Sequence, residues 1–263
     1  MPELPEVEAV AERLRRAHLH NTITACGQFR PTTMTGGEKA VGRRLDHIDR
    51  RGKNLLLRFT DGAFLRVHLK MTGNLAVIPD ARLRTSAMRA WFELDDGRAV
   101  VLDDPRALGR ISFHEKQEEP QLFRALGPEP FSEDFTPAHL IHAAKATPKP
   151  VKLLLMEQKA VAGLGNIYAA EALFQAGIHP ARPARGISKA KLAALHQAIL
   201  EVLALALASA EAAYETPGEF TEGEFFPRAV YGRKGEPCLR CKTPIRRILQ
   251  GGRSTYYCPK CQK

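Results

Sequence analysis

Four of the five cysteines stand at the end of the chain in a C-x2-C-x16-C-x2-C pattern: Cys238, Cys241, Cys258 and Cys261. This spacing forms two knuckles whose thiolates can meet tetrahedrally around one zinc ion. In a chain with so few cysteines it argues for a metal rather than a disulfide framework; the other reading is a set of buried structural cysteines. A four-thiolate site keeps no open coordination position, so the zinc is structural and stiffens a segment too short for a core of its own. What the site presents is the stretch between the knuckles, with Arg246, Arg247, Gln250, Gly251, Gly252, Arg253 and Ser254. The glycine pair lets backbone approach a phosphate, and Arg253 can bind one bidentately. The plainer reading of these arginines is a solvated basic face. Cys26, the fifth cysteine, reads as a small buried residue.

Charge bears on that choice. The chain carries a net +10, and residues 228 to 263 hold ten basic side chains against the single acid Glu236, a net +9. A polyanionic partner fits this distribution. With 44% hydrophobic and 26% charged residues the composition excludes a disordered or fibrous chain. A length of 263 residues allows two modest domains, or one with small appendages. No run approaches the roughly 18 consecutive apolar residues of a membrane span, and acids stand where a signal peptide would be basic and apolar. The expected place is the cytoplasm, with no membrane partner.

The texture changes along the chain. Pro5 to His18 sets Val7, Val10, Ala11 and Leu14 at helical spacing, with Pro5 suited to a first turn. From Asn54 to Ile111 the period is two: Leu65, Val67 and Leu69 alternate with Phe64, Arg66 and His68, and Asp95-Asp96-Gly97 separates two apolar runs as a hairpin turn does. A β-sandwich or barrel is expected there. LGPEPFSEDFT, from Leu126 to Thr136, reads as a linker. Beyond it the spacing predicts helices over 137–145, 150–159, 166–176 and 188–213, punctuated by Gly163, Gly165 and Gly177. Residues 214 to 227, YETPGEFTEGEFFP, read as an exposed acidic loop.

Several motifs occur together in order: PELPEVE at 2–8, RRGKNLLL at 50–57, HLKMTG at 68–73, DDPRALGR at 103–110, LGPEP at 126–130, GLGNIYAAEALFQAGIHP at 163–180, YGRKGEPC at 231–238 and a closing CPKCQK. In this series the chain resembles the formamidopyrimidine-DNA glycosylase and endonuclease VIII family of base-excision repair enzymes. The resemblance implies an α+β multidomain fold: an N-terminal β-sandwich with an amphipathic N-terminal helix (1–125), a linker (126–136), a helix-two-turn-helix domain with a lesion-capping loop at 214–227 (137–227), and a C-terminal β-hairpin zinc finger (228–263).

It also implies a chemistry. Met1 is removed and the Pro2 amine attacks C1′ of the damaged nucleotide, giving a Schiff base from which the phosphates are eliminated. An α-amino group titrates near 8, so it is partly unprotonated at neutral pH, unlike an ordinary lysine. Glu3 shuttles protons to the opening sugar. Lys53 reaches the scissile phosphates, with a surface lysine as its alternative reading, and Arg253 joins the phosphate contacts. Asn166 grips the phosphates flanking the lesion, with a helix-turn cap as its alternative. Lys152 and His68 align with further backbone contacts, and Glu6 lies near the lesion pocket or serves as a helix-start charge. Base flipping leaves a hole that Met71 and Arg106 fill, unless Met71 is a core methionine. The third filler, commonly Phe in the formamidopyrimidine branch, is here Leu108, a smaller wedge.

The partner implied is double-stranded DNA containing a damaged base or an abasic site, with the chain a monomer and nucleoid-associated in a bacterium. The expected lesions are 8-oxoguanine and formamidopyrimidines. A preference for oxidised pyrimidines, or mainly abasic-site lyase activity, shares the same catalytic residues, and a non-catalytic zinc-finger DNA-binding protein would account for the basic tail but not for Pro2 and Glu3.

Overall fold

The computed structural model describes residues 2–80, 82, 83, 85–213 and 226–263. The chain forms two compact units, one from Met1–Arg124 with Ser209 onward of the long helix, the other from Ala125–Ala208 and Phe226–Lys263.

In the first unit, helix α1 (Leu4–Arg16) begins with a capping box between Glu3 and Glu6 and ends on Arg13, Arg15 and Arg16, whose charges suit the negative end of the helix dipole. Two sheets follow. One has the order β1 (Ile23–Gln28), β7 (Met88–Leu94), β8 (Ala99–Asp103) and β6 (Asn74–Ile78). The other has the order β2 (Met34–Thr35), β9 (Arg110–His114), β5 (Phe64–His68), β4 (Asn54–Phe59) and β3 (Leu45–Arg51). All pairings are antiparallel except the short β2–β9 contact. The sheets share one core with α1: Val7, Val10 and Leu14 pack with Leu55, Leu57, Leu65 and Val67 of one sheet and Leu75, Phe92, Val100 and Leu102 of the other.

The β7–β8 hairpin turns at Asp95-Asp96-Gly97 as its sequence predicts, with Gly97 at φ +86°. The period-two reading of β5 holds on its inner face. Phe64 departs from it: it is also fully buried, under the guanidinium of Arg58 and against His114.

The second unit is helical: α3 (Pro137–Lys145), α4 (Val151–Met156), α5 (Asn166–Gln175) and α6 (Lys189–Ala213), after a short α2 (Glu119–Phe123) that closes the first unit. Helix α4 stops short of residue 159 because Gln158 takes a left-handed φ of 64° and spends its amide on the turn, accepting from Gly163 N–H at 2.8 Å and donating to the Leu164 carbonyl. Helix α6 agrees with the helix expected over 188–213. Lys189–Ala210 has a mean hydropathy of 1.7 and is long and apolar enough to span a bilayer by length and composition. Its Leu192, Leu195, Ile199, Val202, Leu203 and Ala206 are core residues of this unit, so the hydropathy is that of a core helix.

The closing hairpin pairs β10 (Arg246–Gln250) with β11 (Arg253–Tyr257). Its two-residue turn, Gly251 and Gly252, has φ of +53° and +74°, a conformation that glycine adopts without Cβ strain. Of the segment expected to cap a flipped base, residues 214 to 227, only Phe226 and Pro227 are among the described residues. Phe226 is buried edge-on against Tyr168 of α5.

Candidate active site and nucleic-acid interface

The amino terminus is held by the start of α1. Glu3 is the N-cap, extended at φ −99° and ψ −171°, and its N–H donates to Glu6 Oε2 at 2.8 Å. Pro2, Glu3 and Glu6 are all buried. Glu6 is thus engaged at the helix start, the structural of its two readings. Two residues on, Glu8 accepts from both Arg15 and Arg50, which fastens α1 to β3. The β3–β4 hairpin then turns through Gly52 and Lys53, with Gly52 at φ +57° and its carbonyl accepting from Arg50 at 3.1 Å. Lys53 is only 8% exposed, so it is not the solvated surface lysine of the alternative reading.

His68 ends β5, paired across the sheet with Asn54. Its Nδ1 accepts the Lys70 N–H at 3.0 Å. Burial first, then the charges of Lys70, Arg66 and Lys53, lower its pKa to about 4. At neutral pH the ring is therefore neutral, with its proton on Nε2, a donor set among cations. Unfolding returns the ring to an ordinary pKa near 6.5, so below that value the unfolded chain binds the extra proton. Stability contributed by neutral His68 is present above pH 6.5 and is lost as the pH falls towards 4. Urea titrations across this window should show a pH dependence that His68→Gln flattens.

Beyond His68 the chain makes a tight turn in which Lys70 has φ 57° and Gly73 N–H returns to the Leu69 carbonyl at 3.0 Å. A Cβ on Gly73 would sit 2.5 Å from that carbonyl oxygen, so only glycine closes the turn. Met71 lies on it, half-buried and, among the described residues, not part of the core shared by α1 and the sheets. The loop after β8 carries Arg106, exposed, and Leu108, 37% exposed. The two loops are joined by a hydrogen bond from the Thr72 hydroxyl to Asp104.

In the second unit, Asn166 is the first residue of α5, and Gly165 is its N-cap. The Asn166 amide does not cap the helix. Its Oδ1 accepts from Lys152 Nζ at 2.6 Å, and its Nδ2 donates to the Ser254 carbonyl at 3.0 Å and to the Tyr231 hydroxyl at 3.4 Å. An ammonium only donates and a carbonyl only accepts, so these partners fix which way the amide faces. Lys152 itself is fully buried and also donates to Thr255 Oγ1 at 2.7 Å. In this structure its ammonium orients Asn166 and holds β11. Arg253, at the start of that strand, is exposed, so the structure brings Lys152, Asn166 and the Arg253 hairpin together.

Sequence reasoning missed three residues here. Tyr231 supplies the hydroxyl beside Asn166, and Thr255 is the buried partner of Lys152. The third, Glu171, is buried and accepts the N–H groups of Ala229, Val230 and Tyr231 at 2.8, 3.0 and 2.8 Å. Burial pushes its carboxyl above the usual range against these bonds, which favour the charged form. A lone acid in the apolar run AAEALF was the available signal. Glu171→Ala orphans three amides and should cost about 1–3 kcal/mol, read by thermal unfolding of the zinc-loaded chain.

The four cysteine sulfurs lie within 4.8 Å of one another, with Cys238–Cys261 at 3.9 Å and Cys241–Cys258 at 3.4 Å. A zinc tetrahedron with bonds of about 2.3 Å has edges of about 3.8 Å, so the cluster fits one ion.

Three family models match in order. They are the formamidopyrimidine-DNA glycosylase N-terminal domain over residues 1–111, its H2TH domain over 126–217, and the zinc finger found in FPG and IleRS over 235–263. The chain belongs to the formamidopyrimidine-DNA glycosylase family. Among relatives of that name, the Chloroflexus aggregans protein is 41% identical over all of this chain and 98% of its own length, and a Thermus thermophilus protein is 38% identical with the same coverage. A Lactococcus lactis formamidopyrimidine-DNA glycosylase, solved non-covalently bound to DNA containing an abasic site, superposes with a TM-score of 0.89 at 31% identity, covering 99% of each chain. The Thermus thermophilus enzyme superposes with a TM-score of 0.86 at 37% identity, covering 99% of this chain and 98% of its own. The formamidopyrimidine-DNA glycosylase fold accounts for the sandwich, the helical unit and the zinc hairpin, and its zinc finger takes one zinc ion on Cys238, Cys241, Cys258 and Cys261.

Proposed function

We propose that this protein is a bifunctional DNA glycosylase and abasic-site lyase of base-excision repair, acting on double-stranded DNA within the nucleoid. The observation that carries the reading is the amino-terminal dipeptide, in which Pro2 directly precedes a buried glutamate held by the helix cap. With Met1 removed, the Pro2 nitrogen is a secondary amine with a lone pair. It attacks C1′, forming the N–C1′ bond as the glycosidic bond breaks and the damaged base leaves with a proton. The resulting iminium acidifies the C2′ proton, and its loss expels the 3′ phosphate and then, by a second elimination, the 5′ phosphate. Glu3 delivers and takes up the protons at the sugar.

The other residues bind and orient. Lys53, the neutral His68 ring and Arg253 supply cationic or donor groups for the phosphates, and Asn166 supplies an amide whose orientation Lys152 sets. Met71, Arg106 and Leu108 fill the space left by the flipped nucleotide. Oxidised purines, 8-oxoguanine and formamidopyrimidines, are the substrates this reading favours. The Lactococcus lactis relative has been crystallised with DNA containing Fapy-dG and with DNA containing an oxidised pyrimidine, so both classes belong in the test.

The test is borohydride trapping on duplexes that carry 8-oxoguanine, a formamidopyrimidine, thymine glycol or an abasic site. A covalent complex on the purine lesions, with the strand nicked at both phosphates, is the expected result. No trapping on any duplex would reduce the protein to a zinc-containing DNA binder.

A further inference from the structure

Asp104 is a fully buried carboxylate in a loop where Pro105, Arg106 and Leu108 are exposed. Its Oδ1 accepts from the Thr72 hydroxyl and from Arg106 N–H at 3.2 Å, and its Oδ2 accepts from Leu108 N–H and Gly109 N–H, both at 2.7 Å. The main chain is secured as well: Arg89 donates through Nε to the Asp104 carbonyl at 2.8 Å and through Nη2 to the Pro105 carbonyl at 3.2 Å. A Cβ on Gly109 would stand 3.3 Å from Oδ2 and 3.1 Å from Leu102, so glycine is what lets the backbone come close to the carboxylate.

The loop needs this bracing because it is strained. Ala107, between the two exposed side chains, has φ 54°, a left-handed conformation unfavourable for a residue with a Cβ, while its side chain is 7% exposed. Such a conformation persists when its surroundings over-determine it. Bonds to the N–H groups on both sides of Ala107 meet that condition. Arg106 and Leu108 thereby stand outward while Ala107 turns in, and the Thr72 bond carries the bracing to the residue next to Met71.

We propose that Asp104, with Thr72, is the positioning pair that makes Met71, Arg106 and Leu108 one rigid wedge. The proposal rests on the function given above. Pushing side chains into a stacked duplex works against unstacking energy, and a loop that yields under that load delivers less of its binding to the opened state. Asp104 and Thr72 act through the wedge and do not touch the reacting atoms. Their loss should therefore be felt where a base must be expelled from the stack and much less where the base is already missing.

The experiment uses the full zinc-loaded chain with Asp104→Asn, Thr72→Val and the conservative Thr72→Ser. In Asp104→Asn the carboxamide NH2 must face backbone donors or the Thr72 hydroxyl; in Thr72→Val only the link between the loops is lost. Single-turnover cleavage is measured on one duplex sequence carrying either 8-oxoguanine or an abasic site at the same position. Asp104→Asn and Thr72→Val should slow 8-oxoguanine excision by about tenfold or more and abasic-site cleavage by less than about threefold, with Thr72→Ser close to the parent. A second measurement needs no chemistry: 2-aminopurine beside the lesion should brighten when the parent binds and brighten less with the two variants.

Variants that excise and brighten like the parent would overturn the proposal. So would variants that slow both substrates equally with a matching loss of thermal stability, since that is the mark of a merely structural role. A parent that brightens 2-aminopurine but is never trapped by borohydride defeats the proposed chemistry and leaves the wedge readable by fluorescence.

Discussion

A chain that keeps Met1 is expected to form no borohydride-trapped adduct on lesion-containing duplex, although its fold and DNA binding stay intact. The retained residue turns the Pro2 nitrogen into a tertiary amide without an available lone pair and moves the free amine about 3.8 Å along the chain. Misplacement of a reacting group by even about 1 Å can cost a hundredfold. Pro2→Gly keeps an amine at the right position but gives up the ring that limits its motion, so covalent product should fall by about a hundredfold rather than vanish. Glu3 remains the N-cap in both cases, because the capping box uses the Glu3 amide and the Glu6 carboxylate and not the Pro2 ring. N-terminal sequencing, trapping yield and far-UV circular dichroism of the same preparations check the three parts. Equal trapping by processed and unprocessed chains would refute the role given to Pro2.

Removal of zinc has the second large effect. Apart from the metal ligands, the core under the closing segment is small: Ala170 and Phe174 of α5, with Val230, Ile245 and a few half-buried neighbours. Burial of a few such side chains yields a few kcal/mol, whereas structural zinc contributes on the order of 10 kcal/mol in comparable modules. Chelation, or Cys258→Ser, should therefore release the hairpin and with it Arg253, lowering duplex affinity by about a hundredfold at fixed salt. The helical unit, whose core is separate and larger, should keep its thermal transition. Metal analysis, fluorescence anisotropy on labelled duplex and calorimetry give the three readings. Metal-free chain that binds within threefold of the loaded form would show that the hairpin does not depend on its zinc.

The metal-dependent hairpin also shows how far each kind of information reaches. Cys238, Cys241, Cys258 and Cys261 were legible as a zinc site because four-thiolate coordination constrains spacing along the chain, whereas the turn at Gly251 and Gly252 came from the structure. Helix α1, the β7–β8 hairpin and α3, α5 and α6 were likewise legible, since apolar periodicity and capping act over a few residues. The family motifs carried Pro2, Glu3, Lys53 and Asn166 as candidates, although no periodicity distinguishes them.

Burial and partnership were not legible. Lys152 and Asp104 both look like exposed charges in the sequence, yet each is fully buried and serves groups elsewhere in the chain: Lys152 reaches Asn166 and Thr255, and Asp104 reaches Thr72. Glu171 sits in a helix and binds a loop some sixty residues later. Mean hydropathy says how apolar α6 is and not what covers it; its core packing is visible only in the structure. The physical reason is the same in each case. Spacing determines what is repeated within a turn, a strand pair or a metal knuckle, so the sequence by itself determined the zinc site and the element types. A buried charge is tolerated only where distant donors or acceptors surround it, and only the tertiary structure decided where those partners are.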